Sequence, residues 1–228
     1  MISLPRVHYR VTDSTNERAR SLTADGVPHG TVVTADEQTA GRGRQGRTWT
    51  AAPGEALLLS IVVRDLEPRH ALLPMMAALA VCEATEAVVD VHCEIKWPND
   101  VWVERRKLSG ILVEARPAAG WAIVGIGVNT GVHQFPDELR EIATSLQLES
   151  PGEALDPLLE SLARWLDADS PEVLSAWRNR DALRGSSVRW GEGEGVAHGI
   201  DDSGSLLVDA GDGDLVALGA GEVHLLRD

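Results

Sequence analysis

The hydrophobic pattern of this 228-residue chain changes period once, near residue 184, and that change limits the folds open to it. Before it, helix-length patterns alternate with strand-length apolar runs. Past Leu183 only short alternating runs remain, at residues 187–190, 196–200, 206–209 and 215–218, parted by Gly/Asp turns. Short strands of this kind, with no helical pattern between them, build a small β-barrel. The sequence therefore reads as an α+β domain over residues 1–184 followed by a small β domain over residues 185–228. No long linker, repeat or low-complexity tract offers a second boundary.

Within the first domain, residues 7–11 alternate as a short strand. Asp13-Ser14-Thr15-Asn16-Glu17 then has the form of a capping box, with Ser14 at the cap and Glu17 three later, and predicts a helix to about Asp25. Residues 31–37 form a β-branched strand and residues 56–63 a buried one. A helical pattern covers 73–89, with Pro74 tolerable in its first turn. A strand at 92–96 runs into the turn Trp97-Pro98-Asn99-Asp100, and strands follow at 101–103, 107–115 and 121–129. Helical patterns at 136–144, 154–167 and 171–183 complete the domain, Ser170 before Pro171 opening the last.

Charge narrows the partners. Thirty-five acids against 21 bases give a formal charge of −14, which disfavours DNA along an extended face. The first twenty residues carry no apolar signal region. The longest apolar stretch, about residues 72–82, falls short of a membrane span, so a soluble, cytoplasmic protein with no membrane partner is expected. Cys82 and Cys93 sit on apolar patterns without metal-ligand spacing and read as buried reduced thiols. Of the 21 basic residues only Lys96 and Lys107 are lysine, which suggests that a compact ammonium matters at those two places.

Gly41-Arg42-Gly43-Arg44-Gln45-Gly46-Arg47 is an island of three cations in an acidic chain, set in the loop between two strands. Glycines let the backbone approach a ligand and turn its amides inward, while arginine forks pair with phosphate or carboxylate oxygens. An exposed basic loop explains the same residues, although its place between buried strands argues against that. Trp49 at the loop's end suits stacking on an adenine or walling off an apolar ligand, and equally a place in the core. Ser14, Thr15, Asn16 and Gln38 offer short hydroxyl and amide groups for a neutral polar ligand such as a ureido ring.

In Lys96-Trp97-Pro98-Asn99-Asp100 a strand end presents an ammonium, an amide and a carboxylate together, with Asp100 suited to hold magnesium through waters. A surface hairpin is the plainer alternative. Lys107, within Arg105-Arg106-Lys107-Leu108-Ser109-Gly110, stands where solvent meets core and can reach a developing negative charge. Gly125-Ile126-Gly127-Val128-Asn129 places two glycines in a strand, the mark of a bulge or of close approach to a ligand.

In this order and spacing, Asp-Ser-Thr-Asn, Gln38, Gly-Arg-Gly-Arg-x-Gly-Arg, Lys-Trp-Pro-Asn-Asp, Arg-Lys-Leu-Ser-Gly-Ile-Leu-Val-Glu and Gly-Ile-Gly-Val-Asn closely resemble the biotin protein ligase family. The match runs over residues 13–129, and the β tail is compatible. The resemblance implies a mixed sheet flanked by helices, of class II synthetase type, with a C-terminal SH3-like β-barrel. It implies ATP, magnesium and biotin as the small molecules, biotinyl-5'-AMP as the intermediate, and a biotin carboxyl carrier domain of a biotin-dependent carboxylase as the acceptor.

By that resemblance Ser14, Thr15, Asn16, Gln38, Gly41, Arg42, Gly43, Arg44, Lys107, Gly110 and Gly127 form the biotin site. Arg42, Arg44, Arg47, Trp49, Lys96, Asn99, Lys107 and Asn129 form the ATP site. Lys107, Arg44 and Lys96 would carry the catalysis. A first strand by residue 7 leaves no room before it for a helix-turn-helix, so the monofunctional type is expected, and the resemblance leaves room for a homodimer. A lipoate or octanoate transferase would lack this Gly/Arg loop, and a non-catalytic biotin sensor would not need both lysines and Asp100. Since every chemical motif lies before residue 130, the second domain is expected to serve transfer more than adenylation.

Overall fold

The computed structural model describes residues 5–191, 193–211 and 215–226. The first domain is a seven-stranded sheet built from β1 (Arg6–Thr12), β2 (Val32–Gln38), β3 (Ala56–Arg64), β4 (Cys93–Lys96), β5 (Asp100–Val103), β6 (Arg106–Arg116) and β7 (Trp121–Asn129). Its spatial order is β1-β2-β3-β7-β6-β5-β4. Only β1 and β2 run parallel, and the other neighbours are antiparallel, so the sheet is mixed.

The unbroken apolar run of β3 explains its central place, since a strand without alternation needs cover on both faces. Leu57, Leu59, Ile61 and Val63 join the main core beneath α2 (Leu73–Val88) and α3 (Gly152–Asp167). On the opposite face Val62 packs with Val33, Ile123 and Ala19, the last from α1 (Thr15–Ala24). Helix α2 has 11 of its 16 residues buried. With the preceding 3-10 turn it forms a 21-residue apolar segment, Pro68–Val88, long enough to cross a membrane, but its apolar surface is used against the sheet and α3.

A second sheet follows α4 (Ser170–Arg178). It comprises β8 (Ser187–Trp190), β9 (Gly193–Ile200), β10 (Leu206–Asp209), β11 (Leu215–Leu218) and β12 (His224–Leu225), in the order β11-β10-β9-β8-β12 and antiparallel throughout. Strand β12 has too few residues for any periodicity to announce it.

Four local expectations need correction. Residues 136–144 form turns rather than a helix, because the backbone there is taken by β6: Lys107 N–H donates to Ile142 O (2.8 Å) and Thr144 N–H to Lys107 O (2.9 Å). The helix expected over 171–183 stops at Arg178, since Arg180 O accepts from Ile95 N–H (2.6 Å) and Ala182 N–H donates back to Ile95 O (3.0 Å). Its cap is Asp169, whose carboxylate accepts the Glu172 N–H, and not Ser170. Ser14 stands at the N-cap of α1 but its hydroxyl makes no capping bond, and Glu17 turns outward to Arg20 and Arg42. No capping box forms at α1.

Candidate active site

One cavity of about 940 Å³ opens on the face of the sheet where α1, the Gly/Arg loop, the Lys96-to-Asp100 turn and the second sheet converge. Its lining includes Ser14, Thr15, Asn16 and Gln38, then Arg42, Gly43, Arg44, Arg47 and Trp49, then Lys96, Asn99, Asp100, Lys107, Gly110 and Gly127. The structure thus gathers all but two of the expected residues. Gly41 and Asn129 are outside the lining. Gly41 lies beneath the Trp49 carbonyl, where an added Cβ would come within 2.4 Å. Asn129 points its amide at Thr144 O (3.1 Å) and ties the end of β7 to the following turns.

At one end the groups are neutral. Thr15 donates its N–H (2.7 Å) and its hydroxyl (3.0 Å) to Gln38 Oε1, so the Gln38 carbonyl is used and its amide nitrogen is left to donate. Ser60, the one polar residue within the apolar run of β3, donates to Asn16 Oδ1 at 2.6 Å and lies 2.8 Å from Thr15 Oγ1. Asn16 Nδ2 donates to Glu114 Oε2 (2.8 Å) and to Leu112 O (3.4 Å).

The glycines of β7 have a reason that the sequence left open. A Cβ on Gly125 would fall 2.1 Å from Asn16 Oδ1, and one on Gly127 would fall 2.6 Å from Trp49 Cε2. No bulge interrupts the β3–β7 register, so both glycines serve close approach. Gly127 pairs across the strands with Gly110, which also meets Trp49, and the two make a flat floor under the indole. Among the described residues the Trp49 Nε1 proton has no partner.

At the other end the groups are cationic. The Gly/Arg loop forms a small hairpin, with Arg42 bridged to Thr48 and Gly43 N–H donating to Arg47 O at 2.8 Å. Arg42 reaches Glu114 (3.0 Å) and Glu17 (3.5 Å). Arg44 donates to Asn99 Oδ1 (3.1 Å) and to Gly221 O (3.3 Å), and Arg47 pairs with Glu222. Asn99 in turn donates to Ile111 O (2.8 Å), which fixes its carbonyl toward Arg44. The Trp97–Pro98 peptide beside it is cis, and the Trp97 indole donates to Gly204 O at 3.0 Å.

Lys107 Nζ lies 2.7 Å from Asp100 Oδ1 and 5.8 Å from the centre of the Trp49 ring. Lys96 Nζ sits 5.4 Å from the Trp102 ring. Burial pushes the Lys96 ammonium and the Arg44 guanidinium below their ordinary values, with the nearby Asp100 acting in the opposite sense on both. Cations held at the expense of hydration favour an incoming anion.

Among the described residues no three His, Cys, Asp or Glu side chains cluster to hold a metal. A magnesium ion that arrives on phosphates and keeps several waters needs only one or two carboxylates, and Asp100 in the cavity wall fits that demand.

The strand β12 and the loop before it supply Glu222, Val223, His224 and Leu225 to the same cavity. Gly221 and Glu222 thereby hold two of the loop's three arginines, Arg44 through the Gly221 carbonyl and Arg47 through the Glu222 carboxylate. A lone Glu in the turn before a two-residue strand, and a His on it, carry no signal by which sequence reasoning could have found them. Ser60 did carry one, as a single hydroxyl within an apolar run.

Comparison with known proteins agrees with this geometry. The biotin/lipoate A/B protein ligase family model matches residues 8–130, and the biotin protein ligase C-terminal domain matches residues 191–226. The bifunctional ligase/repressor BirA of Bacillus subtilis is 34% identical, over 91% of this chain and 70% of its own. The biotin–[acetyl-CoA-carboxylase] ligase of Mycobacterium tuberculosis is 35% identical over 95% of this chain and 87% of its own. The structure of the Aquifex aeolicus biotin protein ligase in complex with biotin and ATP superposes with a TM-score of 0.85 at 30% identity, covering 98% of this chain and 99% of that one. From the motifs, the two-sheet architecture and these matches together, the chain belongs to the biotin/lipoate A/B protein ligase family.

Proposed function

We propose that this chain is a cytoplasmic biotin protein ligase that joins biotin and ATP into biotinyl-5'-AMP and passes the biotinyl group to a lysine of a carboxylase biotin carrier domain. The observation that carries this reading is the polarity of one cavity. Neutral polar groups (Ser14, Thr15, Gln38) stand at one end and cations (Arg44, Lys96, Lys107) at the other, with an apolar indole on a glycine floor between them. That order suits a ureido ring, an aliphatic chain, and a carboxylate meeting a triphosphate.

In this reading Gln38 Nε2 and the Ser14 hydroxyl receive the ring, and Trp49 walls the aliphatic chain and the base. Lys107 and Arg44 steady the charge that moves from the biotin carboxylate onto the α-phosphate, while Lys96 faces the leaving pyrophosphate. No covalent enzyme intermediate is required, since positioned cations supply the stabilisation. Bound magnesium would spread the phosphate charge, with Asp100 as its protein contact through water. The Gly/Arg loop over the product excludes water from a mixed anhydride until the acceptor amine displaces AMP.

Biotin-dependent ATP/pyrophosphate exchange tests the reading. Exchange with biotin and none with lipoate or octanoate supports it. Exchange driven by lipoate or octanoate assigns the chain to the related transferases, and binding of biotin without exchange makes it a sensor.

A further inference from the structure

The relay Ser60–Asn16–Glu114–Arg42 joins the neutral end of the cavity to the Gly/Arg loop. Asn16 lies flat over Gly125, which faces Ser60 on β3 and Leu112 on β6 in the strand register. Its Oδ1 accepts from Ser60 at 2.6 Å, and its Nδ2 donates to Glu114 at 2.8 Å and to Leu112 O at 3.4 Å. Both amide protons are thereby used within the protein, so Asn16 shapes the pocket floor and has no donor left for a ligand. Glu114 Oε2, the same oxygen, also receives Arg42 Nη2 at 3.0 Å. Arg42 is further held by Glu17 at 3.5 Å. One carboxylate oxygen thus sets an amide in the ring pocket and a guanidinium in the loop.

We propose that Glu114 is a positioning residue for the reaction: it orients Asn16 for the ring of the acid substrate and holds Arg42, and with it the loop, against the protein until an anion takes Arg42 over. This rests on the biotin-ligase reading of the cavity. The two duties are separable by chemistry. Glutamine keeps an acceptor for Asn16 but withdraws the charge from Arg42. Alanine withdraws both.

The experiment measures biotin-dependent ATP/pyrophosphate exchange, and the rate of tryptic cleavage at Arg42, Arg44 or Arg47 without ligand, for the wild-type chain, Glu114→Gln and Glu114→Ala, with thermal melts alongside. Loss of a hydrogen bond to a charged group predicts a biotin KM about 10-fold higher in Glu114→Ala. In Glu114→Gln the biotin KM stays within about 2-fold of wild type while loop cleavage accelerates several-fold in both variants. Glu114→Met keeps the bulk and removes the acceptor, and replaces the alanine variant if that one fails to fold.

A biotin KM unchanged in Glu114→Ala or Glu114→Met, equal KM changes in the glutamine and alanine variants, or loop cleavage unmoved by either would overturn the proposal. A purely structural Glu114 would lower melting and kcat together without this split. A wild-type chain with no biotin-dependent exchange would instead bring down the functional reading on which the proposal rests.

Discussion

In the proposed reaction, replacing Lys107 by alanine removes the cation assigned to the reacting centre. Its ammonium is paired with Asp100 at 2.7 Å, with the two side chains 33% and 18% exposed, so the pair sits in the cavity wall rather than on open surface. In a partly screened site of effective dielectric near 20, opposite unit charges about 4 Å apart attract by roughly 4 kcal/mol. Removal of one preorganised donor from a developing anion costs about 3 to 4 kcal/mol, and each 1.4 kcal/mol or so is tenfold in rate. Lys107→Ala should therefore slow biotin-dependent pyrophosphate exchange by about 10² to 10³. The loss is aggravated because Asp100 is then left without its partner and facing phosphates. Lys107→Arg keeps the charge but spreads it over a planar fork that cannot reproduce the ammonium's placement, and should recover only part of the rate. An ordinary exposed ion pair would contribute at most about 1 kcal/mol to stability and nothing to the rate. Exchange within about threefold of wild type in a Lys107→Ala protein of unchanged melting temperature would refute the reasoning.

Arg44→Ala should let the adenylate leak, at a cost of about 2 to 4 kcal/mol in retention, because a guanidinium aimed by Asn99 and Gly221 O is lost; a filter-binding or gel-filtration assay of retained biotinyl-adenylate reads it. Gly125→Ala should destabilise by about 1 to 3 kcal/mol and weaken biotin binding, since its Cβ would stand 2.1 Å from Asn16 Oδ1; calorimetric titration and melting of the variant check both. Burial by itself would raise the Glu86 carboxyl, but the Arg180 guanidinium and the Cys93 N–H outweigh it and hold the group below its ordinary value. That contribution is complete above the ordinary carboxylate range and is lost as pH falls through the depressed folded value, so acid unfolding of Glu86→Gln should show a shallower loss of stability than wild type. The same variant should melt lower at neutral pH by the equivalent of about 2 kcal/mol, because Arg180 is left half-buried without its partner charge.

The legible parts of the fold were those where one segment decides its own state. The apolar run 56–63, the helical pattern from Leu73 and the glycine-separated short strands appear within a residue or two of where they were expected, strand 196–200 alone beginning earlier, at Gly193. The failures share a cause. Residues 136–144 carry helix-like spacing of Leu139 and Ile142, yet Leu139 is 40% and Ile142 47% exposed, and the backbone is claimed by β6 instead. Ser14 has the sequence of a cap but lies in the cavity wall, so the pattern that named a local role concealed a distant one. In the site, the residues with special chemistry were readable as motifs. The partners of Glu114, which closes one of those motifs, and of Glu222, which lies in none, were not readable, because Arg42 and Arg47 stand 72 and 175 positions away and leave no trace in spacing.

The burial of α2 bears on how the chain is made. This helix is apolar around most of its circumference, and most of its cover, strands β4 to β7 on one side and α3 on the other, is encoded later than the helix itself. During synthesis Leu73–Val88 emerges ahead of the strands that cover one side of it, and its other side has no α3 to pack on until residues through Asp167 have followed. Chains interrupted inside that interval expose a segment of the kind chaperones hold and aggregates recruit. The stretch between α2 and α3 is thus the period of greatest vulnerability in the life of this protein, and chains released before α3 is complete should accumulate in the insoluble fraction while those that include it do not.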